Sequence, residues 1–316
     1  MLTPVIVGAG GVGLALGTCL HASGQPVELV VRSDEAASAL RAQGFARSGL
    51  FGDVTVPAPA LRIRRSLAEL AGSAPDYLLI CTKTTAVDEV ARALGDVWHA
   101  LEAEPIVVLF LNGWGSAERF AARIPRDRIY NARVITGFTR VSTTQVTVTV
   151  HADAIHLGSL FGEPASRVAP LARSIDAGGL PCRTTDRIEA DLLAKLLYNC
   201  LLNPLGALLG VPYGRLGEAP ETRSLMEAIA REIFRVLDAA GRRTHWPDAE
   251  AYLDTFYREL LPPTARHFSS MLQDLEAGRP TEIDALCGAV VRLAACHGTE
   301  APLCAALTTL VHGAQG

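Results

Sequence analysis

The chain has no excess of basic residues: 29 Lys and Arg stand against 33 Asp and Glu, a net charge of −4 across 316 residues. That balance argues against nucleic acid and membrane surfaces as partners, because both call for a basic face. No uninterrupted apolar run reaches the length of a membrane span. The N-terminus enters a strand pattern without the basic region, apolar stretch and cleavage site of a signal peptide, so a cytoplasmic location is expected. The seven cysteines (19, 81, 182, 200, 287, 296 and 304) form no CxxC pair and lie mostly among aliphatic residues. They predict buried free thiols rather than disulfides. The eight histidines include no HExxH or comparable ligand spacing, so no metal is expected. His156 and His297 read as structural.

What is present is concentrated in the first 32 residues. Pro4–Val7 reads as a buried strand that breaks into Gly8-Ala9-Gly10-Gly11-Val12-Gly13. An apolar helix (Leu14–Ala22) and a second strand (Pro26–Val31) follow. The glycines have the GxGxxG spacing of a dinucleotide-binding turn. The first permits the tight turn, the second lets backbone approach a pyrophosphate, and the third lets helix and strand pack closely. An NAD enzyme usually ends the second strand on an acid that holds the ribose 2′-hydroxyl. This chain has Arg32 and Ser33 there, a pair suited to a 2′-phosphate, so the cofactor expected is NADP(H).

Further along, Glu35–Gln43 reads as a helix and Phe45–Pro57 as a hairpin. Asp76–Thr82 and Pro105–Leu111 read as continuous apolar strands around an Ala86–Leu94 helix. Apolar strands without alternation imply a parallel, doubly wound sheet with helices on both faces. Arg128–Ile135 reads as a further strand, Gln145–Val150 and Ala154–Gly158 as an antiparallel pair, and Leu180–Thr184 as a last strand. Beyond residue 185 nearly everything reads helical: 186–203, Pro220–Gly241, Asp248–Leu260, Ser269–Ala277, Glu282–His297 and Pro302–His312. The expected fold is α/β, with a Rossmann-like NADP-binding domain over 1–185 and an all-helical substrate domain over 186–316. The apolar stretches Leu286–Ala295 and Leu303–Val311 offer a surface for a homodimer.

Two clusters outside the glycine turn carry candidate chemistry. Asp191, Lys195, Asn199 and Asn203 recur every four residues on a leucine-rich helix expected to end at Pro204. Each step drifts only about 40° around the axis, so they form one polar stripe. An unpaired polar group in a hydrocarbon core costs roughly 1–3 kcal/mol and an unpaired charge more. The stripe therefore faces water, a polar surface or a ligand. A solvated Asp191–Lys195 pair accounts for the charges but poorly for two asparagines inside a helix. In the second cluster, Ser269 to Asp284, Gly278 fits a helix C-terminus and Thr281 with Asp284 a capping box. Glu282 fits a first helical turn and Ser270 a helix start. On the residues alone, capping accounts for this segment.

The run Lys195-Leu-Leu-Tyr-Asn199-Cys-Leu-Leu-Asn203-Pro204-Leu-Gly-Ala207 resembles the K-x3-N-x3-N-P-L-x-A segment of the ketopantoate reductase family. Ser270-Met-Leu-Gln-Asp274 followed by Arg279-x-Thr281-Glu282-Ile-Asp284 resembles its SSMLQD…RxTEID segment. The glycine turn, Arg32, Cys81-Thr-Lys83 and Asn112-Gly113-x-Gly115 match in order. The resemblance implies NADPH-dependent reduction of a small 2-oxo acid, 2-dehydropantoate, to pantoate on the way to coenzyme A. It implies Lys195 as general acid, and Glu282 either as its charged neighbour or at the ribose–nicotinamide end of the cofactor. Asn199, Asn203 and Ser270 would bind the substrate's carboxylate and hydroxyl, and Asn112 would sit between nicotinamide and substrate. Gly8, Ala9, Gly10, Gly11, Val12, Gly13, Arg32 and Lys83 would hold the cofactor.

Three features depart from the family pattern: Tyr213 where many members carry asparagine, Arg140 in the 136–140 stretch, and Trp114 in a loop. Their expected place beside the pocket keeps open another 2-oxo or 3-oxo acid as substrate. The fold alone also allows a non-catalytic NADP(H) sensor.

Overall fold

The computed structural model describes residues Met1–Gln315. The chain divides into two compact units, residues 1–111 with 116–188 and residues 112–115 with those from 189 onward.

The first unit is an α/β sandwich. Its strands are β1 (Pro4–Val7), β2 (Val27–Val30), β3 (Phe45–Gly49), β4 (Val54–Val56), β5 (Leu61–Arg64), β6 (Tyr77–Ile80), β7 (Ile106–Leu109), β8 (Ile129–Arg140), β9 (Gln145–Gly158) and β10 (Cys182–Thr184). They form one sheet in the order β4-β3-β9-β8-β7-β6-β1-β2-β5, with β10 paired to β9. Six neighbours, β5-β2-β1-β6-β7-β8, run parallel, and the connection order reverses between β1 and β6. That reversal opens a crevice at the carboxyl ends of these two strands, the place where open α/β sheets bind ligands.

Alternate residues of β1 show why these strands read as continuously apolar. Ile6 packs with α1 (Gly11–Ala22), α2 (Asp34–Gln43) and α5 (Ala169–Ala177). Val5 and Val7 pack on the other face with α3 (Val87–Trp98) and α4 (Ser116–Ala121). The sheet is mixed rather than wholly parallel. β9 is also one 14-residue strand antiparallel to β8, not the predicted pair. Register shifts between Arg133 and Phe138 carry the ladder across the polar interruption at His151–Asp153. The edge strand β5 is absent from the sequence reading. Its Arg62 and Arg64 pair with Glu28 of β2, so it lacks an apolar run.

The second unit is helical: α6 (Ile188–Leu209), α7 (Tyr213–Glu218), α8 (Pro220–Ala239), α9 (Ala249–Thr255), α10 (Ser270–Glu276), α11 (Cys287–Cys296) and α12 (Pro302–Ala314). By length and composition α6 could cross a membrane, but 67% of its apolar window is buried inside the protein, as in a core helix. It does not stop at Pro204, as the sequence predicts, but runs on to Leu209. Proline removes one backbone donor, while buried Leu201, Leu202, Leu205 and Ala207 hold the helix on both sides of it.

The segment predicted as one helix from Glu282 is also broken. Ile283–Ala285 forms a 3-10 turn, Leu286 departs from helical geometry, and α11 starts at Cys287 without a side-chain cap. The expected capping box therefore does not form. The Thr281 N–H donates instead to Gln315 Oε1 at 2.6 Å, and the Thr281 hydroxyl has no partner. The start of α12 is fixed by Glu232 of α8, whose carboxylate accepts from the Leu303 and Cys304 N–H groups at 2.9 and 2.8 Å. The apolar residues offered for a homodimer are largely used within the subunit, with Val290, Leu307 and Val311 buried and Leu310 exposed. Six cysteines are buried free thiols as expected, but Cys296, at the end of α11, is exposed.

Candidate active site

The first unit carries the dinucleotide turn. Gly8 adopts φ 108°, and a Cβ there would lie 2.9 Å from the Cys81 carbonyl oxygen at the end of β6. A Cβ on Gly13 would collide with the Gly8 carbonyl oxygen. These two glycines are required by the protein's own packing. Gly10 is different: its Cβ would meet only the Cys81 oxygen, at an ordinary 3.8 Å, so the small residue keeps space open above the start of α1. That helix has no side-chain cap at Gly10 and no acid in its first turn. Its N-terminal N–H groups and dipole therefore suit a pyrophosphate. Ala9, Gly11 and Val12 complete the turn, with Gly11 packed toward Phe138. The residues present fit a dinucleotide.

Arg32 follows β2, with its side chain 81% exposed and Nη1 2.8 Å from Glu89 Oε2 on α3. So exposed a pair is worth at most about 1 kcal/mol, and it holds the Arg32 guanidinium only weakly. Ser33, read from sequence as a phosphate ligand, caps α2 by accepting from the Ala36 N–H at 3.2 Å. Lys83 is exposed just after β6. Sequence reasoning missed Arg65. Its guanidinium donates to the carbonyl oxygens of Val31, Arg32 and Ser33 at 2.5, 2.7 and 2.8 Å and pairs with Asp34 at 2.5 Å. Arg65 thus fixes the backbone that carries Arg32. No motif announces it, because it lies just beyond the unrecognised strand β5.

The second unit brings six of the predicted residues to one place. Asn112, Asn199, Asn203, Ser270 and Glu282 line a single pocket, and Lys195 reaches it through Asn112. The Lys195 Nζ donates to Asn112 Oδ1 at 2.6 Å, and Asn112 Nδ2 donates to Glu282 Oε2 at 2.9 Å. The chemistry fixes the amide's orientation, since an ammonium needs an acceptor and a carboxylate a donor. Asn112 therefore links the cation to the anion.

Local structure explains how each residue is delivered. Asn112 rides on a segment clamped to the 283–285 turn: the Trp114 N–H donates to the Ala285 carbonyl at 2.9 Å. Gly113 sits at φ 75°, where a side chain would collide with that same carbonyl oxygen. Ser269 caps α10 by accepting from the Leu272 N–H at 3.0 Å, which leaves Ser270 to the pocket. The capping expected of Ser270 belongs to its neighbour. The period-four stripe on α6 divides in two. Asp191 is buried, with His245 Nε2 2.7 Å from its carboxylate, so it is not the solvated end of a surface pair. Asn199 and Asn203 enter the pocket.

Met271 and Leu286 supply apolar wall, and Asp274, unassigned from sequence, is a buried acid 3.0 Å from Arg279 Nε. The three departures expected beside the pocket are not among its lining residues. Tyr213 stands behind Asn203, its hydroxyl donating to Asn203 Oδ1 at 2.6 Å. Trp114 is buried under the Arg242 guanidinium, which pairs with Glu189. Arg140 is exposed at the end of β8 and donates to the Ser142 carbonyl at 3.1 Å.

Two family profiles divide the chain. Ketopantoate reductase PanE/ApbA matches residues 5–161, and Ketopantoate reductase PanE/ApbA C terminal matches residues 187–315. The 2-dehydropantoate 2-reductase of Aquifex aeolicus (strain VF5) is 31% identical over 315 residues, which is 97% of this chain and 95% of the relative. The 2-dehydropantoate 2-reductase of Halobacterium salinarum is 29% identical, covering 98% of both chains. A solved 2-dehydropantoate 2-reductase from Geobacter metallireducens GS-15 superposes with a TM-score of 0.85 at 27% identity, covering 98% of this chain and 99% of that one. Matched in both of its parts, from the glycine turn to the last helix, the chain belongs to the ketopantoate reductase family.

Proposed function

We propose that the chain is a cytoplasmic oxidoreductase that reduces 2-dehydropantoate to pantoate with NADPH, a step in making pantothenate and coenzyme A. The observation that carries this reading is the Lys195–Asn112–Glu282 chain at a pocket otherwise furnished with neutral hydrogen-bonding groups. The reduced nicotinamide supplies the hydride that goes to the ketone carbon. Lys195 donates the proton that the carbonyl oxygen takes up as negative charge develops on it, so the product is the 2-hydroxy acid. Asn112 holds the ammonium in place until the ketone oxygen replaces it as acceptor. Glu282 accepts from Asn112 Nδ2 and so holds the amide with its oxygen toward the lysine. Asn199, Asn203 and Ser270 bind the carboxylate and hydroxyl, and Met271 and Leu286 receive the branched carbon.

The test is NADPH consumption by the purified protein with a panel of branched 2-oxo acids. Turnover with 2-dehydropantoate at the highest kcat/KM is expected; binding of NADPH without turnover on any oxo acid would leave a sensor. NADPH rather than NADH rests on Arg32, which has no acid in its place. In Arg32→Ala, loss of one charge-assisted contact raises KM for NADPH about 10- to 100-fold and leaves KM for NADH nearly unchanged. Equal effects on the two cofactors would remove Arg32 from the 2′-phosphate.

A further inference from the structure

We propose that Tyr213 is a positioning residue that sets which face of Asn203 the substrate meets, making Asn203 a donor to the oxygen at the far end of the oxo acid. This inference rests on the reading of the pocket as an oxo-acid site. Tyr213 opens α7, and its backbone N–H donates to the His267 carbonyl at 3.0 Å. Its ring is 4% exposed and packs edge-on against Tyr198 and His267, with centroids 6.2 and 5.3 Å away. Held there, the phenol has one proton to give, and Asn203 Oδ1 takes it at 2.6 Å. Burial pushes the Tyr213 hydroxyl well above its ordinary value, so that proton stays in place.

An amide carries one acceptor and one donor group. With Oδ1 committed to Tyr213, Asn203 presents its NH2 to the pocket it lines. If the amide flipped, the phenol proton would face an NH2 inside a buried cluster and lose its acceptor. Along α6, Asn203 is two turns beyond Lys195, about 12 Å in axial rise. Both side chains lean toward the helix N-terminus, and Lys195 joins the pocket through Asn112, which lines it together with Asn203. Lys195 meets the ketone, so Asn203 meets the part of the substrate most distant from it. A fixed donor there selects a 2-oxo acid that carries a hydroxyl at its distal end. It discriminates against the same skeleton without that oxygen, because the buried NH2 is then left unpaired.

The experiment compares 2-dehydropantoate with its deoxy counterpart, 3,3-dimethyl-2-oxobutanoate, in the wild-type protein, Tyr213→Phe and Asn203→Asp. Tyr213→Phe keeps the ring and removes the proton. KM for 2-dehydropantoate is expected to rise about tenfold, with kcat within about threefold and KM for NADPH unchanged. Preference for the hydroxylated substrate is expected to fall about tenfold. Asn203→Asp keeps an acceptor for Tyr213 but turns an oxygen to the pocket, and the same preference should collapse. An unchanged preference in both variants, or equal losses on both substrates, would overturn the role of Tyr213 while leaving the reductase reading intact. No turnover of either substrate by the wild-type protein would overturn both.

Discussion

Lys195→Ala is expected to lower kcat with 2-dehydropantoate by about 10²- to 10⁴-fold, the range for removing a positioned general acid. kcat/KM should fall by the same factor, because the interaction lost is made in the transition state and not in the ground state. NADPH affinity should stay within about twofold of wild type, since the glycine turn and Arg32 belong to the other compact unit. Lys195→Arg should restore little. Guanidinium keeps the charge but does not release a proton at working pH. Steady-state kinetics with a separate NADPH titration make the comparison. A Lys195→Ala variant with wild-type kcat would assign the proton to another group.

Gly113→Ala is expected to be nearly as damaging, although the residue touches no substrate. At φ 75° an alanine is strained by roughly 1–3 kcal/mol. Its Cβ would also run into the Ala285 carbonyl oxygen and stand 2.7 Å from the Ala285 Cβ. The 112–115 segment must then lift from the 283–285 turn. That breaks the Trp114–Ala285 hydrogen bond and draws Asn112 away from Lys195 and Glu282. A displacement near 1 Å at such a position costs on the order of 10² in kcat. Gly115→Ala is the control: its φ is 93°, yet nothing lies within 4 Å of a Cβ there, so it bears the backbone strain without the collision. Thermal melting should show both variants destabilised, and kinetics should show only Gly113→Ala with the large loss of kcat. Wild-type kcat in Gly113→Ala would mean that Asn112 does not depend on this clamp.

The two variants mark what could be read along the chain and what could not. The Lys195 stripe was legible because helical period four on an apolar background is a local pattern, and the glycine turn because strand, turn and helix are contiguous. The strands β1, β6 and β7 were legible because helices cover both faces of the sheet. β5 was hidden because its arginines answer Glu28 on the neighbouring strand. The capping box at Thr281 failed because Gln315, far along the chain, accepts the backbone N–H that the Asp284 side chain would take in the box. Asn112 could be placed at the site by resemblance, but its link between Lys195 and Glu282 depends on contacts to residues distant in sequence. Tyr213 appeared in sequence only as a departure beside the pocket. Folding puts it behind Asn203, where its hydroxyl has a partner.

A crystal structure of the protein with NADP⁺ and 2-dehydropantoate bound tests the central claim most directly. The account predicts Lys195 Nζ about 2.6–3.2 Å from the ketone oxygen, within reach to deliver a proton. A ketone oxygen bound elsewhere, with Lys195 still hydrogen-bonded to Asn112, would contradict it.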